Sequence, residues 1–149
     1  MVGIDAIVRS LHVYWEGAFD ICPTVHSGEQ IDVADQTAWV ELWIDNWDEQ
    51  RRREDGPERI GIAVTVHCFS RHATDVGEIQ RIVDAARSAL SRQLVGIRDY
   101  DLSGTPLLGH LRLRETELRD LTRAHDDELR GTLRHIVVLC RGFVEEMLS

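Results

Sequence analysis

Apolar residues at Ile4, Ile7, Val8, Leu11, Tyr14, Trp15 and Ala18 recur at spacings of three and four. That is the trace of one helical face, and it predicts a helix over 4–19. Periodicity then stops. Residues 20–37 contain Pro23, Gly28, Asp32 and Asp35 and read as a long loop. Loops of this length in compact domains usually have a task, so this one is expected to be a contact arm carrying Asp32 and Asp35. From Ala38 to Trp47 the pattern becomes alternating. Val40, Leu42 and Ile44 fall on one side, and Trp39, Glu41, Trp43, Asp45 and Trp47 on the other. A polar turn over 48–58 leads to a second alternating run, 59–70, in which Ile60, Ile62, Val64, Val66 and Cys68 share a face. Together the two runs predict an antiparallel hairpin.

A second helical stripe follows at Val76, Ile79, Ile82, Val83, Ala86 and Leu90, with Asp75 and Glu78 at capping-box spacing. Residues 94–106 hold Gly96, Gly104 and Pro106 and read as an irregular or strand-like link. Residues 107–121 alternate weakly and are rich in charge, whereas 129–143 are apolar on both sides. With a turn at 123–128, these two predict a second hairpin. The sum is a single domain over 1–149 of the α+β class. It is expected to hold an antiparallel sheet of about four strands, with two helices packed mainly on one face.

Composition narrows the reading. A chain of 149 residues can bury a core without staples. Cys22, Cys68 and Cys140 are odd in number and scattered, which points to a reducing compartment and no disulfide framework. The sequence lacks an apolar run near the roughly 20 residues of a spanning helix. It also lacks a basic-then-apolar leader, and both absences argue against a membrane protein or a secreted precursor. All 17 basic residues are Arg, set against 26 acids, for a net charge of -9. The one dense basic cluster, Arg51-Arg52-Arg53, lies between Asp48-Glu49 and Glu54-Asp55, which cancel its field. A sequence-reading nucleic-acid binder is therefore disfavoured.

Few residues suggest chemistry. Cys22 with His26, and His67, Cys68 and His72, are metal-ligand types, but zinc sites use paired short spacings. His67 and Cys68 are neighbours on a strand and point to opposite faces. Neither Ser27 nor Ser70 sits in a nucleophile elbow, and there is no glycine-rich phosphate loop. No catalytic residue, metal or cofactor is expected. What stands out is the stripe Trp39, Trp43, Trp47, because indoles are costly to expose and enriched at interfaces. Either a helix of the same chain covers it or another subunit does. The turn Arg51, Arg52, Arg53 is a second contact candidate.

The order of elements resembles the tail-terminator, or tail-completion, proteins of long-tailed phages and gene-transfer particles. The resemblance rests on the N-terminal helix Ile4 to Trp15, the strand Trp39-Val40-Glu41-Leu42-Trp43, and the run Val64 to Ser70 leading into the helix 75–90. The closing strand Arg134-His135-Ile136-Val137-Val138-Leu139-Cys140-Arg141 completes it. The resemblance implies a virion structural protein made in the host cytoplasm. It would form a homohexameric ring that caps the head-proximal end of the tail tube, stops its polymerisation and meets the head connector. Its partners would be other copies of itself, the tail tube protein and the head-tail adaptor, with DNA passing through without sequence-specific binding. A closed ring needs heterologous contacts, for which the Trp stripe, the 20–37 loop and the arginine turn are the candidate patches.

Two alternatives stand beside this. One is another neck or head-completion adaptor. The other is a dimeric small-molecule-binding or enzymatic α+β domain. Its pocket would need polar groups at core-facing strand positions, and those positions are Ile, Val and Leu. Only His67 and His135 offer polar heads in otherwise apolar strands.

Overall fold

A computed structural model describes residues 2–51, 58–72, 74–122, 126–127 and 131–147. In chain order the elements are α1 (Ile4–Ala18), β1 (Thr24–His26), β2 (Ala38–Arg51), β3 (Glu58–Ser70) and α2 (Val76–Leu90). They continue with β4 (Leu94–Arg98), β5 (Leu107–Asp120), β6 (Asp126–Asp127), β7 (Gly131–Thr132) and β8 (Arg134–Glu146). The main sheet has six strands in the order β1-β2-β3-β8-β5-β4, and β6 pairs with β7 in a separate two-stranded piece.

This corrects the expected sheet of about four antiparallel strands. The sheet is six-stranded and mixed, because β1 runs parallel to β2 with Thr24 opposite Val40 and His26 opposite Leu42. Three residues are too few to show a period, so β1 lies hidden in what reads as the 20–37 loop. The link at 94–106, read as irregular or strand-like, holds β4, five residues interrupted by Gly96 and paired antiparallel with β5.

The helices form where their apolar spacing places them. α1 buries Ile7, Ser10, Leu11 and Trp15. α2 buries Ile79, Ile82, Val83, Ala86, Ala89 and Leu90, while Val76 at its first turn is half exposed. The Asp75 side chain caps α2 by accepting from the Gly77 N–H at 3.0 Å. Glu78 does not complete a capping box; its Oε1 accepts from the Ser70 hydroxyl at 2.8 Å and ties the helix to the end of β3. Both helices share one core with Val40, Leu42, Ile62, Val64, Val66, Cys68, Val138, Cys140 and Val144.

The sheet curls into a half-barrel around this core. Its two margins come to the same helix. The Arg98 N–H of β4 donates to Ser10 Oγ at 2.9 Å, and Trp15 Nε1 donates to Thr24 Oγ1 of β1 at 2.9 Å. His12 also packs on His26, with ring centroids 4.1 Å apart. α1 thus covers both sheet edges, one way of shielding unpaired strand groups. Tyr14 joins the two helices by donating its hydroxyl to Ala89 O at 2.5 Å.

Candidate assembly surface

With both helices on one side, the other face of the sheet carries no helix among the described residues and is bare beyond its Trp39 end, and register fixes what it presents. Trp39 lies opposite Phe69 and Phe69 opposite His135. The next row is Glu41, His67, Val137 and Arg119, and the one after it Trp43, Thr65, Leu139 and Glu117. Then come Asp45, Ala63 and Arg141, followed by Asp48, Gly61, Phe143 and Arg112. One end of the face is aromatic and histidine-rich, the middle is apolar around Trp43 and Leu139, and the far end carries Asp45 and Asp48 on β2 and arginines on β5 and β8.

At the aromatic end, Trp39 is 3% exposed. Its ring stacks on Phe69 at 5.0 Å, and Phe69 stacks on His135 at 4.3 Å. His67 Nδ1 and His135 Nε2 lie 2.8 Å apart, a hydrogen bond in which one nitrogen carries the proton and the other accepts it. The Arg71 guanidinium covers Trp39 at 4.6 Å from the ring centroid. From there its Nη1 donates to the carbonyls of Val33, Ala34 and Gln36 at 2.8, 3.1 and 3.1 Å. This side chain ties the 33–36 turn of the acidic loop to the sheet end, where the Arg71 N–H also donates to Thr37 O at 2.7 Å.

The tryptophans do not act as one stripe. Trp39 is covered by its own chain, and Trp43 is 44% exposed on the bare face. Trp47 turns to the helix side and packs against the core. The cause is a bulge: Asp45 pairs with Ala63 but Asp48 pairs with Gly61, so one extra residue on β2 reverses the alternation. Asp32 and Asp35 are exposed on the loop, and Asp32 Oδ1 accepts from the Ala34 N–H at 2.9 Å. Arg51 ends β2, while Arg52 and Arg53 lie outside the described residues.

Among the described residues, three grooves that share lining residues cross the bare face. One of ≈ 520 Å³ is lined by Asp45, Thr65, His67, Val137 and Leu139 among others. The next, ≈ 480 Å³, is lined by Arg92, Arg114, Glu115, Glu117, Leu139 and Arg141. A smaller one of ≈ 110 Å³ is lined by Arg59, Gly61, Arg114, Arg141, Gly142 and Phe143. Here Arg59 and Arg114 stand over the Phe143 ring at 4.4 and 5.7 Å. Arg59 pairs with Glu145 at 2.8 Å, and Arg92 pairs with Glu115. The hydrogen bond from Arg92 holds the Glu115 carboxyl below its usual range. Arg112, Arg114 and Arg141 are exposed and make no ion pair with a described residue.

Sequence reasoning does not find these arginines, because they come from separate stretches of the chain. The available signal is Arg112 and Arg114 in a weakly alternating, charged strand. The thiols are placed for packing. Burial pushes Cys68 up to about 12, and Cys22 and Cys140 each to about 11, which keeps them protonated and poorly nucleophilic. His67 and Cys68 do face opposite sides of the sheet, one toward the bare face and one into the core. Among the described residues no helix is long and apolar enough to cross a membrane.

No protein-family model matches the chain, and no curated protein matches it either. Fifteen chains of solved structures do. One belongs to a structure described as the virion of a native gene transfer agent particle. It is 12% identical, the match covers 95% of this chain and 96% of that one, and the TM-score is 0.57. A second solved chain, 7% identical, matches 100% of this chain and 99% of its own length with a TM-score of 0.65. At these identities the likeness is one of fold, and it extends over the whole domain.

Proposed function

We propose that this chain is a structural subunit of a phage-type or gene-transfer particle, and within it the tail terminator. In that role it forms a ring on the head-proximal end of the tail tube, halts tube growth and meets the head connector, while DNA passes without sequence-specific contacts. The reading assigns the chain no catalytic step.

The observation that carries it is the full-length likeness of fold to a chain of a gene transfer agent virion. The bare sheet face supports it. A domain that covers one sheet face with helices and leaves Trp43 and three open grooves on the other has a surface suited to a neighbour. The net charge of -9 suits a passage for DNA, since like charge keeps phosphate from sticking.

The test is electron microscopy of the purified chain and of labelled particles. Closed rings, and label at the head-proximal tail tip, are the expected result. A chain that forms no ring and labels no particle is not a terminator.

A further inference from the structure

A protein of net charge -9 that binds copies of itself offsets their mutual repulsion where a positive patch meets an acidic one. The chain has such a positive place among its described residues. On the bare face Arg114 and Arg141 line a depression over Gly61, and Arg112 stands in the same row as Gly61 and Phe143; all three arginines are exposed and without an ion-pair partner among the described residues. The bulge in β5 between Leu113 and Thr116 sets Arg114 and Glu115 opposite Arg141, and Arg114 and Arg141 line the same groove. Of the two acids that line the groove, Glu115 is matched by Arg92 and Glu117 offsets one further arginine, which leaves the place net positive.

The chain also carries the complementary element. Residues 20–37 hold Asp20, Glu29, Asp32 and Asp35 and neither Arg nor Lys. Arg71 holds the 33–36 turn of this loop through three carbonyls, so Asp35 within it and Asp32 beside it are presented from an ordered support. Loop and arginine groove lie apart: the first borders β2 at the Trp39 end, the second lies on β5 and β8 at the other end of the face. Two different patches on separate parts of one subunit make a head-to-tail contact and not a self-matching one.

We infer that the groove between Arg114 and Arg141 receives the Asp32–Asp35 loop of the next copy. This deepens the ring reading and rests on it. Each subunit offers a loop on one side and a socket on the other, and a cyclic array satisfies every pair. Guanidinium groups bind carboxylates in a planar, two-point geometry, which sets the angle between neighbours as well as their affinity.

The test uses the full chain in two exposed-surface variants, each checked by far-UV circular dichroism. Arg114→Glu with Arg141→Glu reverses the socket. Asp32→Asn with Asp35→Arg reverses the loop tip, and the side-chain oxygen kept at position 32 can still accept from the Ala34 N–H. Native mass spectrometry at low salt is expected to show rings for wild type. Each variant alone should assemble on the order of tenfold to a hundredfold more weakly. Their equimolar mixture should assemble again as an alternating ring. In it the reversed loop meets the reversed socket, the native loop meets the native socket, and every contact joins opposite charges. Variants that assemble like wild type, or a mixture that stays dissociated, overturn the inference while wild-type rings keep the terminator reading alive. A socket variant that still forms rings but loses retention of a short DNA duplex overturns it too, and makes the groove a phosphate site. Wild type that forms no ring removes both.

Discussion

Arg71 lays its guanidinium over the Trp39 ring, 4.6 Å from the centroid, and from that position holds the backbone of the 33–36 turn. The stack links the start of β2, the end of β3 and the acidic loop in a single contact. A residue that reads in the sequence as an interface tryptophan is thereby an internal support for the loop beside it.

Trp39 and Trp43 should separate cleanly on mutation. Trp39→Ala removes a nearly buried ring and should lower unfolding free energy by about 3–5 kcal/mol in urea titration. Trp43→Ala should leave the urea midpoint close to wild type and reduce assembly in sedimentation velocity. The opposite pattern would place Trp43 in the core and Trp39 at the contact.

Arg71→Ala should free the loop without unfolding the sheet. Its hydrogen bonds join a charged donor to carbonyls, each of a kind worth roughly 1.5–3 kcal/mol. The Gln36 amide, which donates to Val33 O at 3.0 Å, should exchange with solvent deuterium on the order of tenfold faster. Arg71→Lys should rescue this only in part, since one ammonium cannot both stack flat on Trp39 and span the turn. Unchanged exchange at Gln36 would mean the turn holds itself.

Acid should weaken the seam between α1 and β1. Burial, and next the neighbouring His26, hold the His12 imidazole below its usual range of ionisation, while Glu29 and Glu16 pull it partly back. A lowered histidine is neutral in the fold at pH values where the unfolded chain already takes up a proton. Stability from this group is therefore full above the unfolded value near 6.5 and falls as pH drops below it toward the folded value. His12→Gln should flatten that part of the curve of urea midpoint against pH. A slope unaltered by the substitution would assign it to other groups.

Gly109 is required by approach. A Cβ built there would stand 2.3 Å from the backbone carbonyl oxygen of Glu145 on β8, which cannot swing aside. Gly109→Ala should cost about 1–3 kcal/mol by forcing β5 and β8 apart. Gly17→Ala, where a Cβ meets nothing within 4 Å, is the control and should be near neutral or slightly stabilising.

Periodicity carries far enough to place α1, α2 and the two long strands of the first hairpin, because each repeats its pattern over many residues. It fails where the element is shorter than its own signal, as in β1 and β4, and the strand count and the parallel pair are lost there. It fails also at Trp47, because a bulge reverses alternation and nothing in Asp45-Asn46-Trp47-Asp48 announces the extra residue. The surface is least legible of all. His67 and His135 meet across 68 positions, and Arg114 and Arg141 face one groove from different strands. Only the order of strands in the sheet makes them neighbours.

The seating of α1 against both margins of the sheet has a consequence for how the chain folds. Its partners are made late: Ala89 is 75 positions beyond Tyr14, and Arg98 is 88 beyond Ser10. Val2 reaches further still, to the Glu146 carboxylate 144 positions away. During synthesis α1 therefore waits with Ile7, Leu11 and Trp15 unburied until most of the domain has followed. Until it docks, the edges it guards stay open to strands of other nascent copies, so the return of this early helix is what ends the period of aggregation risk.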